Sequence, residues 1–203
     1  MKLTQRLKRH VRENKWQYLL IVVIFLAGIV VGDFKAGGLA NGVKEHLLGL
    51  IDDYLKGGTA AGAAKPVILW NSFLNQAKSI IAIWFLGLTI IGMPLILAIV
   101  FLKGFSLGFT VCFLVSERAA SGVLISILSI LPQNLIYIPL LIVWSVVGMN
   151  FSIYITRSRA GGGVPLSRGF IGYTLLLLIS LVIVLVGALI EAYLSPLFLG
   201  LFI

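Results

Sequence analysis

The sequence predicts an all-α, polytopic membrane protein with about five transmembrane helices, one of them broken or re-entrant near Pro132. Three observations carry this prediction. Hydrophobic residues make up 60% of the chain and charged residues 11%, with a mean hydropathy of +1.09. That is more apolar surface than a soluble domain of this size can bury. The apolar residues fall into runs long enough to cross a hydrocarbon core about 30 Å thick, which takes about 20 helical residues. The formal net charge of +9 is concentrated before the first run and before the last one.

The first basic cluster, Lys2, Arg6, Lys8, Arg9, Arg12 and Lys15, is offset by Glu13 alone. Among these charges Leu3, Leu7 and Val11 recur every four residues, as on a short amphipathic helix lying on the headgroups, with Trp16 as interfacial anchor. The first span follows over about residues 16–32. Its apolar core lacks a small-x-small cleavage pattern before Asp33, so a retained signal anchor is expected. Segment 33–66 balances Lys35, Lys44, Lys56 and Lys65 against Asp33, Glu45, Asp52 and Asp53. Inside it Val43, Leu47, Leu50, Ile51, Tyr54 and Leu55 share one helical face. A helix over 43–56 is expected, either packed on its own membrane domain or docking another protein through Val43, Leu47, Leu50, Ile51 and Tyr54.

The second span, about 68–91, carries a polar face of Asn71, Ser72, Asn75, Gln76, Lys78 and Ser79 at spacings of three and four. Pro94, which is favourable in the first turn of a new helix and costly inside one, separates it from a third span over about 94–115. Lys103 lies within that third span and Glu191 near the outer end of the last, about 170–190. Intramembrane charge usually faces a bundle interior or an aqueous cavity, and snorkelling to the interface is the alternative. Gly28 with Gly32, and Gly104 with Gly108, form GxxxG pairs that permit close helix packing.

Ser121 to Thr156 is the unusual stretch. Its 36 residues would extend about 54 Å as one helix, nearly twice the bilayer core. Pro132 removes a backbone donor, and the amides of Gln133 and Asn134 are the nearest partners for the carbonyls it frees. Two forms are open: a re-entrant half-helix that turns at Pro132, or a long tilted helix with a kink, with Pro139 as a second interruption. In either form the amides cap the break or line a polar cavity.

The second basic cluster, Arg157, Arg159 and Arg168, precedes the last span without an acid. By the positive-inside rule the N-terminus and loop 157–169 are cytoplasmic, segment 33–66 and the C-terminus extracytoplasmic, and five crossings satisfy both clusters. The clustered charges mark topology and attract anionic lipid, not nucleic acid. The two histidines, His10 and His46, lie on opposite sides of the membrane. No aspartate lies within a span, and neither GxxxxGK[ST] nor GxGxxG occurs. No catalytic constellation, cofactor or metal site is therefore expected, and the lone Cys112 is assigned to packing.

The basic arm, the first span ending in GIVVG (Gly28–Gly32), the run FLGLTIIGMPLILAIVFLKGFSLGFTVCFLV (Phe85–Val115) and above all ILPQNLIYIPLL (Ile130–Leu141) resemble the stage II sporulation protein M family over nearly the whole chain. The resemblance implies a five-span protein of endospore-forming bacteria, located in the mother-cell engulfing membrane. It would be a non-catalytic scaffold that assembles and localises stage II sporulation proteins D and P, which degrade peptidoglycan during forespore engulfment. The alternative from the residues is a transporter or channel subunit working with an ATPase, since a broken helix and in-span charges occur in substrate pathways. A homodimer is expected as well, with a two-fold partner covering the GxxxG surfaces and the lipid-facing polar groups.

Overall fold

The computed structural model of the chain describes residues 10–60, 65–89, 91–159 and 166–194. Six helices make up the described fold: α1 (Lys15–Gly37), α2 (Asn41–Ala60), α3 (Lys65–Gly87), α4 (Gly92–Ile125), α5 (Leu131–Arg159) and α6 (Leu166–Leu189). One π-helical turn, Ser126–Ile130, joins α4 to α5, and another, Ile190–Leu194, extends α6. No strand occurs among the described residues. Three helical stretches are long and apolar enough to cross a membrane: Lys15–Gly37, Gly92–Thr156 and Gly169–Tyr193. Helix α3 falls outside that set because Asn71, Asn75, Gln76 and Lys78 dilute its apolar residues. The predicted headgroup helix through Leu3 and Leu7 lies outside the described residues.

Side-chain contacts give the helix directions. Moving up α1, Gly28, Gly32 and Asp33 meet Phe101, Phe105 and Cys112 in turn, so α1 and α4 run parallel. Ile80 of α3 and Thr89 just past its end meet Trp144 and Ser152 of α5, so that pair is parallel too. Tyr137 and Tyr154 of α5 meet Gly187 and Gly169 of α6 in the reverse order. Helices α1, α4 and α6 therefore point one way, and α3 and α5 the other. Lys15, Gly87, Gly92 and the C-terminal turns of α5 gather at one end of the bundle, tied by Asn150 Nδ2 donating to Asn14 Oδ1 at 3.0 Å. We call it the basic end.

The core mixes aliphatic and aromatic side chains. Ile21, Ile83, Ile96, Val100 and Val146 are fully buried, and among them Tyr173 stacks on Phe151 at 4.2 Å and on Trp144 at 5.4 Å between ring centroids. Trp144 Nε1 and the Tyr173 hydroxyl donate to carbonyls of Ile80 and Ile83. Buried polar atoms of the rings thereby find partners that lipid cannot offer.

The two GxxxG pairs are halves of one contact. A Cβ on Gly28 or Gly32 would run into the carbonyls of Phe101 and Phe105, and one on Gly104 or Gly108 into those of Phe25 and Ile29. All four glycines are buried within one chain. The absence of side chains lets α1 and α4 approach backbone to backbone within one chain, so these four glycines are not the surface that a second copy would meet.

One correction concerns the break. The helix passes through Pro132 without turning, since Leu131 keeps right-handed helical geometry. The π turn upstream absorbs the proline: the Leu131 N–H bonds the Ser126 carbonyl, five residues back instead of four. That wider turn makes room for a ring that would collide with an α-helical carbonyl. The chain breaks at Ala119 instead, at φ 47° and ψ −122°. Residues beyond it fold back so closely that a Cβ on Gly122 would strike the Leu114 carbonyl. Residues 120–159 then form one continuous helical path, and the form that turns at Pro132 is excluded.

Candidate intramembrane polar site

Lys103 and Gln76 stand eleven residues from Gly92 and Gly87, the basic-end termini of their helices, a distance of about 16 Å by helical rise. Both therefore stand at the same height, part-way along the bundle. There Lys103 Nζ donates to Gln76 Oε1 at 3.0 Å. The Tyr137 hydroxyl donates to Glu191 Oε2 at 3.4 Å, and Ser72 supplies Glu191 with a second hydrogen bond. Lys103 and Glu191 attract one another through space, while the neutral groups between them take the direct contacts. Four helical elements, α3, α4, α5 and the π turn after α6, each contribute a side chain.

Beside these groups is a cavity of about 40 Å³ lined by Phe25, Gln76, Ser79, Lys103, Asn134 and Tyr137, among others. A water needs roughly 10–15 Å³ of such space and two to four polar partners, and both conditions are met. An ammonium has three protons to donate, and a water beside Lys103 would accept one that Gln76 does not. The site can hold water and clamp four helical elements in register. Its two charges are opposite in sign and attract one another, which reduces the desolvation cost of charge in a low-dielectric interior.

The predicted residues divide. Lys103 and Glu191 turn inward to protein partners instead of snorkelling. On α3, Gln76 joins the site, whereas Asn71, Asn75 and Lys78 are exposed, so the predicted polar face is split between the bundle interior and its surroundings. Asn134 does both things open to it: Nδ2 bonds the Ile130 carbonyl at 2.8 Å, and the residue lines the cavity. Gln133 is buried. Pro139 lies on an exposed ridge with Leu131 and Leu135, so it is not part of the polar site. Ser72, on the predicted polar face four residues before Gln76, joins the site as well, whereas Tyr137 was not predicted; its signal was spacing, since it follows Gln133 and Asn134 by four and three residues.

On α2 the predicted docking face also divides. Ile51 packs on a small cluster of Leu114, Ile125, Leu128 and Ile130, and Lys44 Nζ forms an ion pair with Glu117 at 2.8 Å. Leu47 is half-buried, whereas Val43 and Leu50 are exposed, at 47% and 54%. The side chain of Tyr54 lies outside the described residues.

An all-helical membrane bundle built round a pair of opposite, partly buried charges, with an amphipathic helix held at one end, is the class of protein these features define. Residues 20–196 match Stage II sporulation protein M, and the chain belongs to that family. Comparison with curated proteins and with solved structures returned no match. Membership in the family implies a sporulation-related role.

Proposed function

We propose that the protein is a non-catalytic scaffold that crosses the mother-cell engulfing membrane five times and assembles a peptidoglycan-degrading complex, with stage II sporulation proteins D and P as its partners. The family match over residues 20–196 carries this reading. In it the basic end is cytoplasmic, and α2 with the C-terminus extracytoplasmic. Leu114 and Glu117, 22 and 25 residues along from Gly92, then stand about 33 and 38 Å above that end, beyond the hydrocarbon. The Lys44–Glu117 pair and Ile51 moor α2 there, leaving Val43 and Leu50 outward, where a wall-side partner would meet them.

The transporter reading has one observation in its favour, the charges within the bundle. Against it, Lys103 and Glu191 are already engaged by Gln76, Tyr137 and Ser72, and the cavity of about 40 Å³ holds a few waters, not a solute.

A crosslinked pull-down from sporulating cells tests the proposal. Recovery of wall hydrolases supports the scaffold, whereas recovery of a cytoplasmic ATPase without hydrolases rejects it in favour of transport.

A further inference from the structure

At the basic end, α5, α6 and the N-terminal segment line an open groove of about 380 Å³, within the size range of small-molecule sites. Its floor is apolar and aromatic, with Tyr173 and Leu176 on α6. Its rim is polar: His10, held by a 3.2 Å hydrogen bond between Nδ1 and the Tyr18 hydroxyl, and Asn150, held by Asn14. Gly172 is one of its lining residues. A Cβ built on Gly172 meets no atom within 4 Å, so any larger side chain there would project into the space.

The segments that flank the pocket in the chain are rich in basic residues. Arg12 and Lys15 are exposed beside His10, and Arg157, Arg159 and Arg168 lie in the turns of α5 and α6 that flank it in the chain. Glu13 is the one acid in these segments. An apolar slot that opens at a membrane surface under a basic collar is complementary to a lipid with an anionic headgroup.

We infer that this pocket, between α5 and α6 at the basic end, binds one anionic phospholipid, its acyl region over Tyr173 and Leu176 and its phosphate at the basic collar. The site is separate from the partner-docking surface at the opposite end, and the inference does not depend on it.

The test uses delipidated full-length protein in detergent, titrated with phosphatidylglycerol or phosphatidylcholine, with bound lipid counted by native mass spectrometry. Phosphatidylglycerol should bind about tenfold more tightly, the effect of one or two basic side chains near a headgroup. Gly172→Leu, which fills the slot, should abolish the preference. Gly49→Leu, at an equally open glycine on α2, should retain it. Should Gly172→Leu fail to fold, the exposed pair Arg12→Gln and Lys15→Gln should lower the preference while leaving the melting temperature in phosphatidylcholine unchanged. Equal binding of the two lipids by the unmodified protein overturns the inference, as does a preference that survives both the filled slot and the lost charges.

Discussion

Gly104 of α4 lies directly against the carbonyl of Phe25 in α1. A side chain at 104 must therefore push two helix backbones apart, because the obstructing atom is main chain and cannot rotate away. Gly104→Val should destabilise the protein by about 1–3 kcal/mol or more, the range typical of overpacking. Thermal unfolding in nanodiscs would show the drop, whereas Gly37→Val, where a Cβ has open space, should change little.

The intramembrane pair predicts non-additivity. Lys103→Met strands the Glu191 carboxylate, and Glu191→Met strands the ammonium. Each single change should cost about 3 kcal/mol, the scale of an uncompensated buried charge. The double variant should recover a large part of that loss, since no lone charge remains. Additive losses in the thermal melts would show that the two charges are not coupled.

At Ala119 the backbone is in a region that glycine adopts freely and alanine does not. Ala119→Gly should raise stability by about 1 kcal/mol, and Ala119→Val should lower it by more. A fall in melting temperature for the glycine variant would contradict the sharp reversal at this residue.

For Asn134, the freed amide partner of Ile130 is the deciding contact. Asn134→Leu should cost about 1 kcal/mol, the net worth of one hydrogen bond, and sporulation should follow the remaining protein level. Pro132→Ala restores a backbone donor and should be neutral or stabilising. Normal protein level and stability with engulfment blocked in Asn134→Leu would instead give the cavity a direct functional role.

The divided face of α2 separates docking from mooring. Val43→Ser with Leu50→Ser should weaken hydrolase co-purification at unchanged melting temperature. Leu47→Asp with Ile51→Asp should release α2 from the Leu114 cluster and remove co-purification together with part of the stability. Unchanged recovery of hydrolases with both pairs would place recruitment elsewhere on the protein.

Helix content, the Gly92–Pro94 helix start and the importance of Lys103, Glu191, Gln76 and Asn134 were legible because each rests on local chemistry: apolar run length, a proline in a first turn, polar groups where lipid cannot serve them. The partners of those groups were not legible, because periodicity shows which residues share a face and not which face meets it. For the same reason the two GxxxG pairs gave no sign that they were complementary to each other. Pro132 misled by being the obvious helix breaker. A π turn neutralised it, and the actual reversal fell on an ordinary alanine. The polar triplet Ser116-Glu117-Arg118 was the signal beside it, marking where the chain leaves an apolar setting.

The contact between α1 and α4 joins segments that emerge from the ribosome far apart in time. Gly32 rests on residues 105–109, so translation must continue about 70 residues past the end of α1 before that partner exists, about 4–14 s at 5–20 residues per second. During this interval the grooved face of α1 has only lipid or another nascent chain against it. Close-packing glycines then favour the wrong helix as readily as the right one. A chain truncated after α3 should accordingly self-associate through Gly28 and Gly32, and correct assembly would depend on how the insertion machinery shields the first helix until the fourth arrives.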